Sequence, residues 1–484
     1  MSNTKPLGHI EHVVVLMFEN RSFDNVLGDL YPYGPDFDGV PPGWSNPDGK
    51  GGTVAAFTDP DIKAAQIQPF PDPNEDHDDM EEQINGGKMD GFVTNYAKAI
   101  KTRGNDTDKA SNIMQYYSST ALGGMPITSA LAKSYGVSDC YFGSGPVQTW
   151  PNRLFAHCGT PGFYTKSGKN CSYLNNCEYP NYDDLDPFHG QLDYKTVFEL
   201  LDEANSNSAS TAWKVYYDGE VPISAFLKYV HDRWNWLEGG NVYKLKSDFP
   251  GYADFAYDVS HDTLPTYSFI EPRYQKYSAD GFIPPNSNHP GGSTTDEGLP
   301  PIDVIHGEAL LRDVFQTLAS NKDVFDKTLL MITYDEHGGL FDHVAPSEAT
   351  SPFADPGGFA NFPYTSYGPR VPAIFINPYV AQKVLRPDEG SYFDHTSIIA
   401  TLRDQFCLQE SLTPRVSSAP TFTGLIDSSI EPNYGPDLPS IDDSVPQEYF
   451  DGVEPENYLP PKHKGTVTDA VYRSYIANKG RNKK

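Results

Sequence analysis

Two apolar runs in this chain end on acids, and that pattern constrains the fold more than any other feature. Val13-Val14-Val15-Leu16-Met17-Phe18 runs straight into Glu19-Asn20, and Thr328-Leu329-Leu330-Met331-Ile332-Thr333 runs through Tyr334 into Asp335-Glu336. Runs of this length are too short for most helices and suit strands covered on both faces. An open α/β sheet places its ligand site at the carboxyl ends of such strands. Adjacent carboxylates there repel one another and lose hydration, so they are expensive to hold. His337, Gly338, Gly339, Leu340, Phe341, Asp342 and His343 follow, and the paired glycines let the backbone turn as soon as the acids are placed.

Further strand candidates are Ser138 to Phe142, Ala212 to Tyr217, Thr266 to Ile270 and Val371 to Ile376. Helix candidates are Pro126 to Tyr135, Lys195 to Ala204, Gly307 to Ser320 and Asp394 to Gln405, with Ser22 capping a short helix and Asp394 capping the last. This alternation predicts an α/β fold with a mainly parallel central sheet flanked by helices and long loop insertions. Residues 1–410 read as one catalytic domain, with insertions at about 31–75 and 160–265. Residues 411–484 read as a wrapping segment and a basic tail rather than a separate domain.

The formal charge of −29 excludes a nucleic-acid backbone as partner, since that needs clustered Lys and Arg. No run of apolar residues is long enough to span a bilayer, and the N-terminus as given has no signal-peptide pattern. Of the five cysteines, Cys171 and Cys177 enclose a short loop and are the expected disulfide. Oligomeric state is not legible.

Ser144 to Phe155 holds Thr149-Trp150-Pro151-Asn152-Arg153. Pro151 suits the first turn of a helix, which puts Thr149 at a helix N-terminus, where free N–H groups favour an anion. The position suits a nucleophile attacking phosphorus; an ordinary capping threonine reads the same way. Glu19, Asn20, Thr149, Asp335 and Glu336 would meet at one sheet edge as a hard, oxygen-rich set for a divalent cation. The acidic run from Pro71 to Glu82, with His77 embedded, reads as a solvated loop. Tyr216, Tyr217, Trp234, Trp236, Tyr274 and Tyr277 are either packing or a cradle for a choline-like cation.

In order along the chain, His9 to Asp24, Asn85 to Phe92, Thr149 to Arg153, Tyr334 to His343 and Gly368 to Pro372 resemble the blocks of the phosphoesterase family of phospholipases C and acid phosphatases. The resemblance implies an alkaline-phosphatase-like fold and one divalent metal ion per site, with Mg, Mn, Ca, Fe and Zn all open. It implies hydrolysis of phosphate mono- or diesters, with a phospholipid head group among the substrates, and a secreted or periplasmic location. Glu19, Asn20, Asp335 and Glu336 resemble the metal ligands, and Thr149 falls at the nucleophile position, which predicts a phosphothreonine intermediate. His77 and His289 resemble histidines that bind phosphate or protonate the leaving group. Asp342, His343, His306 and Arg153 are expected to bind substrate or orient the site. The usual acidic pair before the His-Pro dipeptide is Ser287-Asn288 here. Two other readings are an inactive cation-binding protein and a sulfatase, the latter from the Cys/Ser-x-Pro-x-Arg spacing at Thr149.

Overall fold

The computed structural model describes residues 5–443 except 59–68, 70, 104–106, 120–123, 180–191, 206–210, 220–221, 235–239, 247–253, 275–276, 279–280, 283 and 292–303. Eight strands form one sheet: β1 His12–Phe18, β2 Gly136–Ser138, β3 Trp213–Tyr217, β4 Val242–Lys244, β5 Tyr267–Glu271, β6 Thr328–Tyr334, β7 Ala373–Ile376 and β8 Lys383–Val384. Their spatial order is β8-β2-β7-β6-β1-β5-β3-β4. Five neighbouring pairs are parallel, and only β7 runs against its neighbours β6 and β2. The apolar runs that opened the sequence reading are the adjacent central strands β1 and β6, buried along nearly their whole length as two-sided coverage requires.

Among the described residues the helices pack in three groups, one of them the His77–Ile84 and Phe92–Thr102 pair on an apolar cluster of its own, and the other two against the sheet. Pro126–Ser134 packs on Ile305–Ala319, and Thr149–Cys158 packs on Val197–Ala204 and Thr396–Phe406. One apolar core cluster joins these last two groups to the sheet.

Several expectations are corrected. The strand expected over Ser138 to Phe142 is Gly136–Ser138; beyond it the buried Asp139 pairs with Arg386, whose Nε donates to Asp139 Oδ1 at 2.8 Å. Residues 160–265 are not all insertion, because β3 and β4 belong to the sheet itself. Cys171 and Cys177 are thiols and do not form the expected disulfide: Cys171 is buried on a hairpin strand, whereas Cys177 is exposed on a short 3-10 turn. His395 takes the cap position expected of Asp394, which accepts the Thr396 N–H at 3.1 Å from one residue further out. Of the two readings of the aromatic residues, packing holds for Tyr216, Tyr217, Trp234 and Tyr274, which are core residues; Tyr216 donates its hydroxyl to Asp258 at 2.6 Å. Trp236 and the Tyr277 side chain lie outside the described structure. The wrapping segment is pinned by buried Arg415, which donates to Asp394 Oδ2 at 3.0 Å and the Tyr364 carbonyl at 2.7 Å. The basic tail lies outside the described residues.

Candidate active site

Register assembles the first half of the site. β1 and β6 are parallel with Phe18 opposite Tyr334, so Glu19-Asn20 and Asp335-Glu336 leave the sheet side by side. The Asp335 N–H donates to the Phe18 carbonyl at 3.3 Å, and the Asn20 N–H donates to Asp335 Oδ1 at 3.1 Å. The turn after Glu336 depends on glycine. Gly338 has φ +67°, its N–H donates to Glu336 Oε2 at 2.6 Å, and an added Cβ would lie 2.1 Å from the Asn20 carbonyl oxygen. Gly338→Ala therefore destabilises the protein by about 2–4 kcal/mol, through strain and overlap with backbone, as read from chemical unfolding midpoints.

The second half comes from the Thr149–Cys158 helix. Ahead of it, Asn152 folds the chain back, with Oδ1 accepting the Ser144 N–H at 2.8 Å and Nδ2 donating to the Val147 carbonyl at 2.7 Å. Asn176 Oδ1 accepts the Trp150 N–H at 2.9 Å. This helix start sets Thr149 against the β1 loop, where its hydroxyl donates to Asn20 Oδ1 at 3.3 Å. Arg153 faces the acids rather than an open phosphate position. Its Nε donates to Asp335 Oδ2 at 2.8 Å and its Nη2 to the Met17 and Phe18 carbonyls, both at 3.1 Å. Only Nη1 is left for the expected substrate contact, and it is buried.

The acidic run is the largest correction to the sequence reading. Glu75 is not solvated: its side chain is 9% exposed and its Oε2 accepts the Asn20 Nδ2 at 2.9 Å. His289 stands between Glu75 and Asp72, 3.6 Å from Glu75 Oε2 and 3.7 Å from Asp72 Oδ1. These three side chains are close enough together to share a cation. Burial opposes the charged form of His289, but Glu75, Asp72 and Glu19 outweigh it and hold the imidazole well above its ordinary range. The loop that carries His289 is fixed by the Glu19 N–H donating to the Ser287 carbonyl at 2.7 Å and Arg21 Nε donating to that of Asn288 at 2.8 Å. His77 begins the His77–Ile84 helix, pairs its Nδ1 with the Pro146 carbonyl at 2.7 Å, and so abuts the loop leading to Thr149.

The donor set fits a divalent cation. Neither carboxylate oxygen of Glu19 accepts a hydrogen bond of ordinary geometry, nor do Oε1 of Glu336 and Oε1 of Glu75, although all are buried. Buried carboxylate oxygens without donors are rare and costly, and a cation lying against them would lower that cost. Burial and the Asp335 charge push Glu19 up to about 7 against the pull of His289 and Arg153. Burial, Glu75 and Asp335 push Glu336 well above the carboxylate range. Asp335 differs, since Arg153 and the N–H groups of Asn20 and Glu336 take three of its roughly four acceptor positions.

Asp342 and His343 lie in a separate buried network. Arg370 donates from Nε to Asp342 Oδ1 and from Nη2 to Asp24 Oδ1, both at 2.9 Å, and His343 Nδ1 pairs with Asp24 Oδ2 at 2.7 Å. Asp24, Asp342 and His343 could by spacing hold a metal, but Arg370 already neutralises them. The network clamps the β1 loop to the β6 loop without touching Thr149. Burial lowers the His343 pKa, but bonds to Asp24 and Asp38 dominate and raise it to about 9. A histidine raised from 6.5 stabilises the fold fully below pH 6.5 and loses that contribution as pH rises through about 9. His343→Gln should therefore cost about 3 kcal/mol at pH 6 and close to nothing above pH 9, as measured by unfolding at both pH values.

His306 is not brought to the site. It sits on the Ile305–Ala319 helix near Arg273 and Asp443, and burial, with Arg273, lowers it to about 4. His337 stays beside the acids, its Nδ1 3.4 Å from Glu336 Oε2 and its Nε2 meeting Gln83 Oε1 at 2.8 Å, and burial lowers its pKa to about 3. His395 was not legible beforehand, yet its Nε2 meets the Asp335 carbonyl at 2.6 Å from a helix sixty residues on.

The chain matches the Phosphoesterase family over residues 10–409. It is 31% identical over 441 residues to non-specific phospholipase C1 of Arabidopsis thaliana, spanning 86% of this chain and 70% of that protein. Phospholipase C B of Mycobacterium tuberculosis is 28% identical over 477 residues, spanning 90% of this chain and 81% of its own. Among solved structures, a protein in the alkaline phosphatase superfamily from Vibrio parahaemolyticus overlaps 60% of this chain and 62% of its own, at 11% identity and a TM-score of 0.31.

Proposed function

The chain belongs to the phosphoesterase family and is a hydrolase of phosphoester bonds, and from that premise we propose that it cleaves phospholipid-type phosphodiesters with Thr149 as nucleophile and a divalent metal as cofactor. The observation that carries the metal is the set of buried carboxylate oxygens on Glu19, Glu336 and Glu75 that accept no hydrogen bond of ordinary geometry. Glu19, Asn20, Thr149, Asp335 and Glu336 would hold the ion, with Glu75 at its edge. Bound there, the ion would neutralise the clustered acids and ease deprotonation of the Thr149 hydroxyl.

Asn20 orients Thr149 through Oδ1 and is itself held through Nδ2 by Glu75. Thr149 Oγ loses its proton to solvent and forms the new bond to phosphorus as the bond to the leaving oxygen breaks, giving a phosphorylated threonine that still carries the head group; it takes a proton back from solvent when it is later displaced. His289, kept protonated by its acidic neighbours, or His77 gives its proton to the departing alcohol. Water then attacks the phosphothreonine, with the same histidine taking the proton, and releases the phosphorylated head group. The similarity to named phospholipases C favours a diester; a monoester runs through the same steps with inorganic phosphate as product. Threonine at this position removes the basis of the sulfatase reading, which needs cysteine or serine oxidised to an aldehyde.

The test assays p-nitrophenyl phosphate, a bis-aryl phosphodiester and p-nitrophenylphosphocholine in parallel, with and without chelator. Turnover is expected to vanish in chelator, to return with a divalent metal, and to favour the diesters at least about tenfold, a difference worth some 1.4 kcal/mol in the transition state. Full turnover after exhaustive metal stripping would rule the reading out.

A further inference from the structure

We propose that the Phe163–Ser172 hairpin and the loop 353–364 form a docking surface for a phospholipid bilayer, with packed aromatic rings tying its exposed edge to the wall of the active site. The proposal rests on the phospholipid reading above and names the surface that would present that substrate. Strands Phe163–Lys166 and Lys169–Ser172 pair antiparallel around Ser167-Gly168, whose φ values of +52° and +76° suit a tight two-residue turn. The hairpin is fastened to the loop: the Ala360 N–H donates to the Asn170 carbonyl at 2.9 Å, and Asn361 exchanges hydrogen bonds with the Ser172 N–H and carbonyl, both at 2.9 Å.

Phe163 is 44% exposed and belongs to a cluster of rings rather than standing alone. It lies edge-on against Phe353 and Phe359, at 6.1 and 5.7 Å between centroids, and those two stack on each other at 3.9 Å. Phe353 continues to Tyr364 at 6.4 Å, Tyr364 to Phe362 at 5.0 Å, and Phe362 to the His77 ring at 5.1 Å. His77 holds the Pro146 carbonyl, three residues before Thr149. The run is packing rather than a passage, since Tyr364 within it is fully buried, and it ties the exposed Phe163 edge to the wall beside Thr149.

Charge points the same way. In a chain of net charge −29, Lys166 and Lys169 flank the hairpin tip, both exposed and, among the described residues, in no ion pair. Aromatic rings that reach acyl chains and lysines that reach phosphates are what a bilayer interface selects. Asp355, exposed on the same loop, fits a zwitterionic or weakly anionic surface better than a strongly anionic one.

The full chain is tested by co-sedimentation with phosphatidylcholine vesicles, with and without phosphatidylserine, beside turnover of vesicle lipid and of soluble p-nitrophenylphosphocholine. Phe163→Asp should weaken vesicle binding and vesicle turnover by roughly tenfold or more, with soluble turnover within about twofold of the parent and an unchanged unfolding midpoint. Phe163→Trp should keep binding and add blue-shifted emission, on vesicles, over that of the five native tryptophans. Parent-like vesicle binding by Phe163→Asp, or unshifted emission from Phe163→Trp, would overturn the proposal. So would equal loss of soluble and vesicle turnover, which makes the patch packing, or a self-association of the parent that Phe163→Asp dissolves without any vesicle binding. If the parent binds vesicles through Phe163 but hydrolyses no soluble ester, the docking surface stands and the mechanism proposed for the site falls.

Discussion

Thr149→Ala should lower phosphoester turnover by on the order of 10⁴-fold or more while leaving the fold intact. The two effects separate because of what the side chain touches. Thr149 makes one side-chain hydrogen bond, at 3.3 Å to Asn20 Oδ1, so its loss costs about 1 kcal/mol of stability or less. A residue that forms a covalent intermediate has no substitute, and its removal leaves only what binding and charge stabilisation supply. Thr149→Ser keeps the hydroxyl and should keep most of the rate, and Thr149→Val keeps the shape and should lose as much as alanine. Rates and unfolding midpoints measured on all three variants check this. A Val variant with parent-like turnover would show that the hydroxyl is not the attacking group.

Glu19→Gln should move activity and metal-free stability in opposite directions. Glu19 is fully buried, and neither of its oxygens accepts a hydrogen bond of ordinary geometry. Burial and Asp335 raise its pKa from 4.5 to about 7, the signature of a charge that the protein alone resists. A carboxylate raised in this way destabilises the fold, with no effect below pH 4.5 and its full effect above pH 7, where it amounts to about 3 kcal/mol. Glutamine carries no charge but buries an amide, so in chelator at pH 8 the variant should gain about 1–3 kcal/mol over the parent. With metal the order reverses, because a cation stabilises the parent by mass action and finds one ligand fewer in the variant. Turnover should fall by about 10²- to 10⁴-fold. Thermal melts of both proteins with and without metal read the effect. A variant that is less stable than the parent in chelator as well would mean that the Glu19 carboxylate is paired within the protein itself.

The strands were legible because their physics is local. An apolar run of six or seven residues with no helical period has little choice, and acids directly after it mark a strand end at a ligand edge. The pairing of β1 with β6 was not spelled out in either run, yet once they are adjacent their matched register brings Glu19 and Asp335 together. Glu75 was missed for a general reason. Its neighbours Asp76 and Asp78 are exposed, so the run is mostly solvated, and composition cannot tell which single acid turns inward. The spacing Asp72-Pro73-Asn74-Glu75 was the available signal, since Pro73 is buried and holds both acids on the turn facing His289. Arg153 was legible in place but not in partner, because its choice between phosphate and Asp335 depends on a residue 182 positions away. The Cys171–Cys177 expectation failed because a short sequence spacing says nothing about which way each thiol faces.

The central claim is a covalent phosphothreonine, and the stereochemical course at phosphorus tests it most directly. The substrate is a phosphodiester made chiral at phosphorus by one oxygen isotope, hydrolysis runs in water carrying the third oxygen isotope, and the configuration of the released monoester is then read. Attack by Thr149 followed by attack of water is two in-line displacements, so the account predicts net retention. Net inversion would mean that water displaces the leaving group in one step, and the nucleophilic role of Thr149 would be contradicted.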